Sequence, residues 1–270
     1  MRHFNIIATN IRKNILRMNT RAKVSHTGSA FSIVEILTIL YFKVLRLDIK
    51  NPKKIDRDRF ILSKGHASSA LYATLAQKGF FDCRVLKRFY AMRNGVLPGH
   101  LDMESINGIE VSSGSLGMGL SLGIGIALAL KNDNLDSRVF ILCGDGELNE
   151  GSMWEAILFV AHHKLEKVVL IVDYNKLQGF GETNCILNLE PLGDKFRVFN
   201  WNVLEVDGHN FNALNNAFSN LSTTKPNVII AHTIKGKGVD FMENKLEWHY
   251  KSPNLFEFKK AMNQLNKGGR

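Results

Sequence analysis

Cysteine is scarce in this sequence. Cys83, Cys143 and Cys185 are the three in 270 residues, and they have no metal-type spacing. An odd, unpatterned count argues against a disulfide framework and for a reducing, cytoplasmic setting. Cys143, inside an apolar run, reads as a small core residue. Long hydrophobic runs are also missing. The richest candidate, Leu116 to Leu130, is interrupted by Gly117, Gly119, Gly123 and Gly125 and is too short to cross a bilayer, so no membrane association is expected. The net charge is +10, yet the basic residues are scattered and no run is interleaved with aromatics. That pattern gives no nucleic-acid interface. Repeats, low-complexity tracts and linker-like stretches are absent, which leaves one domain over residues 1–270.

Acidic residues are absent until Glu35. Before it, Arg2, Arg12, Lys13, Arg17, Arg21 and Lys23 alternate with Ile6, Ile7, Ile11, Ile15 and Leu16. A basic amphipathic leader has this look. A surface helix with its apolar stripe turned inward is the expectation, because the stretch runs directly into a histidine motif at His26.

What is present is a run of strands and helices in alternation. Arg57–Ser63, Val139–Cys143, Val168–Tyr174, Asn202–Val206 and Val228–Thr233 read as strands. Helical spacing marks Ile6–Val24, Ser32–Leu45, Ala67–Gln77, Cys83–Arg93, a glycine-rich stretch from Ser115, Glu150–Lys164, Phe211–Leu221 and Pro253–Leu265. Val96–Ile109 and Asn175–Asp194 read as loops. The alternation predicts an α/β fold with a parallel sheet and helices on both faces. An apolar fraction of 45% suits one large globular core.

Two residues stand where such a sheet places its chemistry. Asp145 follows the apolar run Val139–Cys143 in Gly144-Asp145-Gly146, and Asn175 follows Val168–Tyr174. A strand, a helix and a strand bring both to one sheet edge, outside the carboxyl ends of the strands, where α/β proteins bind ligands. A carboxylate and an amide oxygen suit Mg2+, which takes few protein ligands and completes its shell with phosphate oxygens. Gly144 and Gly146 permit a sharp turn and close approach of a phosphate. Four histidines lie in short, mostly glycine-containing segments: Ser25-His26-Thr27-Gly28, Lys64-Gly65-His66-Ala67, Pro98-Gly99-His100-Leu101 and Glu247-Trp248-His249. Histidine can donate to phosphate and exchange protons near neutrality. His162, His163 and His232 lack such settings, and His209, in Asp207-Gly208-His209-Asn210, receives no chemistry here.

The segments Gly144–Gly151, Trp154-Glu155-Ala156 and Asp173–Lys176 resemble the thiamine-diphosphate motif of transketolases, and the likeness runs from about Asn10 to Lys260. It implies thiamine diphosphate and Mg2+ (or another divalent cation) as cofactors, with Asp145, Asn175 and the Leu177 carbonyl on the metal. It implies His66 and His249 near the diphosphate and the reacting centre, and His26 and His100 toward the hydroxyls of the donor sugar. Gly114-Ser115-Leu116-Gly117 resembles the segment passing along the cofactor, with Gly114 near the diphosphate and Leu116 on its rings. Tight packing at a helix start is the plainer account of that segment, and Gly119, Gly123 and Gly125 suggest close helix packing at a subunit interface. Glu150 matches an interface glutamate that contacts the activating one, or is a helix-start residue favoured by the dipole.

The implied reaction moves a two-carbon ketol unit from a ketose phosphate to an aldose phosphate. Typical transketolases carry their activating glutamate and phosphate-clamping arginines on further domains. The resemblance is therefore closest to the N-terminal subunit of a split transketolase, inactive alone. Its expected partner is a C-terminal, pyrimidine-binding chain, with homodimer contacts in a heterotetramer of the pentose phosphate pathway or another branch of carbohydrate metabolism. A subunit similar to 1-deoxyxylulose-5-phosphate synthase or 2-oxoacid dehydrogenase, and a non-catalytic scaffold half-domain, are the alternatives.

Overall fold

The computed structural model describes residues 1–91 and 96–268. Its centre is one five-stranded, wholly parallel sheet: β1 Arg59–Leu62, β2 Val139–Gly144, β3 Val168–Tyr174, β4 Asn202–Asp207 and β5 Asn227–His232, in the order β1-β2-β3-β5-β4. All of β3 and nearly all of β2 are buried, as continuous apolar runs in a sheet covered on both sides should be. β4, at one edge, alternates and carries Glu205 and Asp207 outward.

The period of two splits the core. Phe140, Leu142, Val169, Ile171, Ile229 and Ala231 face one helical layer. That layer contains α1 Arg2–Ala22, α2 Thr27–Phe31, α3 Val34–Ile39, α4 Ser68–Lys78, α9 Phe211–Ser219 and α10 Leu255–Gly268. Val139, Ile141, Cys143, Val168, Leu170, Val172, Val228 and Ile230 face the other layer. There lie α5 Gly119–Asn132, α6 Gly151–His162 and α8 Leu192–Val198; α7 Thr183–Ile186 is a short turn between them in sequence. Each fully buried aliphatic side chain contributes roughly 1.5–3 kcal/mol. The basic N-terminal stretch is a packed helix: Ile7, Ile11, Ile15 and Leu16 are buried, and α1 lies on α4 and α10.

Three elements depart from the periodicity reading. Ser32–Leu45 is not one helix. Ser32 sits between α2 and α3 with its hydroxyl bonded to Asp173 Oδ2 at 2.6 Å, and α3 runs on into a wide π turn, Leu40–Val44. Cys83–Arg93 is only a 3-10 turn over Cys83–Arg88, since Phe89 leaves it in extended geometry to enter the core; residues 92 and 93 of that stretch lie outside those described. The glycine-rich helix starts at Gly119, because Gly117 takes φ +83 and a Cβ there would meet Ser152 Oγ at 2.6 Å. Its glycines also serve this chain's own core. A Cβ on Gly119 would strike Ser63 and one on Gly123 would meet Ile141 at 2.9 Å, while Gly125 alone of the three faces open space. The expected loop after Asn175 holds α7 and the start of α8.

Candidate functional site

The register pairs Gly144 with Asp173, and the Asp145 N–H donates to the Asp173 carbonyl at 3.2 Å. Asp145 and Asn175 therefore emerge side by side at the carboxyl ends of β2 and β3. Asp145 is 3% exposed. Its Oδ1 accepts from Gly146 N–H at 2.8 Å, and Oδ2 accepts from Lys176 N–H at 2.6 Å and Thr183 Oγ1 at 3.1 Å. Burial, then the charge of Asp173, pushes its carboxyl pKa up. Asn175 Oδ1 accepts from Leu177 N–H at 3.1 Å and Nδ2 donates to Asp173 Oδ2 at 3.0 Å.

Asp173 is the hub. It is fully buried and accepts hydrogen bonds from Ser32, Asn175, Thr233 and, at 2.6 Å, the Lys64 ammonium. Burial alone would raise its carboxyl, but Lys64 and the hydroxyl donors outweigh it and hold it below the ordinary range.

Two buried cations went unrecognised in the sequence. Lys64, 2% exposed, also donates to Ser29 O at 3.2 Å. Lys235, 1% exposed, donates to Leu177 O at 2.8 Å and lies 2.9 Å from His249 Nδ1. Burial, then the Lys64 charge, lowers its ammonium to about 8. The signal was there: each lysine falls just past the end of a strand, beside a glycine, where this sheet gathers its ligands. Glu147 was missed too. Buried, it accepts from Ser63, Gly117 N–H at 2.9 Å and Gly144 N–H at 3.3 Å, tying the ends of β1 and β2 to the segment before α5.

Three of the four histidines come together. The ring centroids of His26 and His66 are 5.0 Å apart, those of His26 and His249 5.0 Å, and those of His66 and His249 5.7 Å. His26 takes φ 69, and its N–H donates to the His249 carbonyl at 3.0 Å. Burial, reinforced by His100, Lys235 and Lys64, lowers His26 to about 4. Burial and then Lys235 lower His249 to about 3, and burial with Lys64 takes His66 well below its ordinary value. All three are neutral at pH 7. His100 is exposed and shares a cavity of about 350 Å³ with His26, His66, Tyr90 and Tyr250.

Gly114 lies against His100, whose Cδ2 would be 3.2 Å from a Cβ placed there. Gly144 and Gly146 do not adopt positive φ, so a forced turn is not why glycine stands there. A Cβ on Gly144 would meet only Lys64, at 3.9 Å, leaving that side of the strand tip open. Leu116 is 37% exposed, and Glu150 is exposed at the N-cap of α6 without a side-chain capping bond. Two buried polar atoms by the crevice, Ser113 Oγ and Gln178 Nε2, have no hydrogen-bond partner. Among the described residues no three His, Cys, Asp or Glu side chains are grouped to hold a metal. The oxygen set of Asp145, Asn175 and the Leu177 carbonyl falls outside such a grouping.

A parallel sheet with a carboxylate and an amide at adjacent strand tips, backed by buried lysines, defines an α/β protein with a charged, buried crevice at the carboxyl edge of its sheet. Residues 5–263 match the transketolase, thiamine diphosphate binding domain. The chain belongs to that family. It is 42% identical over 262 residues to a 6-deoxy-6-sulfo-D-fructose transketolase subunit of Clostridium sp. (strain MSTE9), covering 96% of this chain and 94% of that one. It is 39% identical over 257 residues to an apulose-4-phosphate transketolase subunit of Phocaeicola vulgatus, covering 94% and 91%. The fold matches the transketolase of Campylobacter jejuni with a TM-score of 0.92 at 30% identity, over 98% of this chain but 43% of that one. The chain thus spans about two fifths of that solved transketolase. Among the described residues no helix is long and apolar enough to cross a membrane.

Proposed function

We propose that this chain is the diphosphate-binding subunit of a two-chain transketolase, which moves a two-carbon ketol unit from a ketose phosphate to an aldose phosphate. The observation that carries this is the pairing of Asp145 and Asn175 at neighbouring strand tips with Lys64, Lys235 and three clustered histidines around them. The names of the relatives support the two-chain form. Both the sulfofructose and the apulose phosphate enzymes are named as subunits, and this chain covers 94% and 91% of them.

The residues fit thiamine diphosphate with a divalent cation. Asp145, Asn175 Oδ1 and Leu177 O offer hard oxygens, and the raised Asp145 carboxyl is what a cation would relieve. The ammonium groups of Lys64 and Lys235, with His66 and His249, answer the diphosphate charge. The open side of Gly144, the Gly114 backbone and the unpartnered Ser113 and Gln178 give it room and donors. Gly146 stays in the cradle through its bond to Asp145, and Leu116 offers an apolar surface to the rings. Glu150, beside Gly117, faces the expected partner. When bound, thiamine diphosphate supplies the electron sink for the carbanion left by cleavage of the ketose C–C bond.

His26 and His100 line the approach and take the sugar hydroxyls. His26, His66 and His249, neutral at pH 7, can accept a proton without first releasing one and, as weak bases, give it back readily. The chain works in cytoplasmic carbohydrate metabolism, in the pentose phosphate pathway or the use of a less common sugar. Its partner is a pyrimidine-binding C-terminal subunit, with homodimer contacts completing a heterotetramer. The exposed Leu122, Leu158 and Phe159 of α5 and α6 are an apolar surface suited to such contacts.

The test is reconstitution. The chain alone, with thiamine diphosphate and Mg2+, is expected to transfer no ketol unit; addition of a pyrimidine-domain chain encoded beside it should restore transfer from a ketose phosphate. Full activity without a partner contradicts the two-chain reading, and activity only with pyruvate as donor favours the deoxyxylulose-phosphate-synthase or oxoacid-dehydrogenase alternatives.

A further inference from the structure

His209, at the turn between β4 and α9, is bonded at both ring nitrogens. Nδ1 lies 2.9 Å from Glu35 Oε2, and Nε2 accepts the Ile234 N–H at 2.8 Å. A backbone N–H can only donate, so Nε2 is bare and Nδ1 carries the hydrogen given to Glu35. The ring is locked in one neutral tautomer. Glu35 is gripped from its other side by Arg12, which donates to both carboxylate oxygens at 2.6 and 2.7 Å. Burial would raise this carboxyl, but Arg12 and His209 hold it down at about 2. Arg12 Nε then donates to Lys237 O at 2.8 Å.

Two of the triad's three outward bonds, to Ile234 and Lys237, bracket Lys235; the third, from Arg12 to Phe31 O at 3.1 Å, ties α1 to the end of α2. The backbone between Ile234 and Lys237 is fixed further by Gly236 N–H on Gly28 O at 3.0 Å and by Asn244 N–H on Lys235 O at 2.9 Å. Lys235 in turn bonds Leu177 O and His249. We propose that the Arg12–Glu35–His209 triad is a positioning device for the Lys235 ammonium, and that it sets the affinity of the crevice for thiamine diphosphate from α1, α3 and the turn before α9. This rests on the cofactor assigned under the proposed function. A triad that merely braced α1 against α3 would change melting temperature alone.

Three variants of the full chain separate these. In His209→Gln the side-chain oxygen reaches the place of Nε2 and can accept the Ile234 N–H. In His209→Asn the amide nitrogen reaches the place of Nδ1, keeps the Glu35 bond and abandons Ile234. His209→Ala loses both. Calorimetry with thiamine diphosphate and Mg2+, at a temperature where all are folded, should show affinity lowered about 10-fold or more for Asn and Ala, and nearly restored in Gln, in the range seen when a residue that orients a metal ligand is removed. Hydrogen exchange at amides 234–238 should quicken in the same two variants only. Equal affinity and equal exchange across the series overturns the positioning role. If the wild-type chain takes up neither thiamine diphosphate nor inorganic diphosphate, the cofactor reading falls instead; the exchange comparison then decides the positioning role alone, unchanged exchange overturning it.

Discussion

Asp173 shows at the scale of one residue why this crevice needs its lysines. A fully buried carboxylate without a partner would take up a proton, and two carboxylates side by side would do so sooner. Lys64 keeps Asp173 ionised, Asp173 then turns Asn175, and Asp145 is left as the carboxylate with charge to spare. The histidines give the opposite case. Unfolded, each titrates near 6.5; folded, His26 does so near 4 and His249 near 3. Between those values the unfolded chain binds protons that the folded chain refuses, so these groups lower stability as pH falls below 6.5 and have no effect above it. Thermal melts of the cofactor-free chain should decline from pH 7 to 4.5, and the decline should be shallower in His26→Asn/His249→Asn. Equal slopes would show that the two imidazoles are more hydrated than their burial implies.

Among elements, the segment from Ser113 to Gly119 does the most with the least structure. Gly117 turns with φ +83, donates to Glu147 and presses against Ser152 and Glu150, so the start of α5, the tip of β2 and the start of α6 are set by one residue without a side chain. Gly117→Ala should cost about 1–3 kcal/mol, read as a lowered urea midpoint, by backbone strain and steric conflict together. A midpoint equal to wild type would mean that the turn relaxes freely. The same segment marks the limit of what the sequence discloses. The strands β2 and β3 were legible because both faces of each are apolar, and α1 because its stripe is one-sided. α3 was legible as a helix but its ends were not, because every one of its residues is buried and the period cannot mark where it starts or passes into the π turn. The helix expected from Ser115 began late because helical spacing cannot register a positive φ. Asp145, Asn175 and the histidines stood out by their neighbours. Lys64 and Lys235 did not, since a lysine in a basic chain reads as surface until its burial is seen.

For the whole molecule, topology does the assembling. β1, β2, β3 and β5 all end on one side, and the segments that follow them deliver Lys64, Asp145, Asn175 and Lys235 to a common edge. His26 and His249 reach it from outside the sheet, through the turn after α1 and the segment before α10. The crevice is thereby built from residues spread over nearly the whole chain, with His100, Leu116 and Glu150 exposed along its flank. Anomalous scattering from Mn2+ in crystals of the assembled enzyme with thiamine diphosphate examines this most directly. The expected result is one manganese peak about 2.0–2.3 Å from Asp145, Asn175 Oδ1 and the Leu177 carbonyl, with phosphate oxygens completing its shell. Bound thiamine diphosphate with its manganese held by other residues, or with no metal between those strand tips, would contradict it.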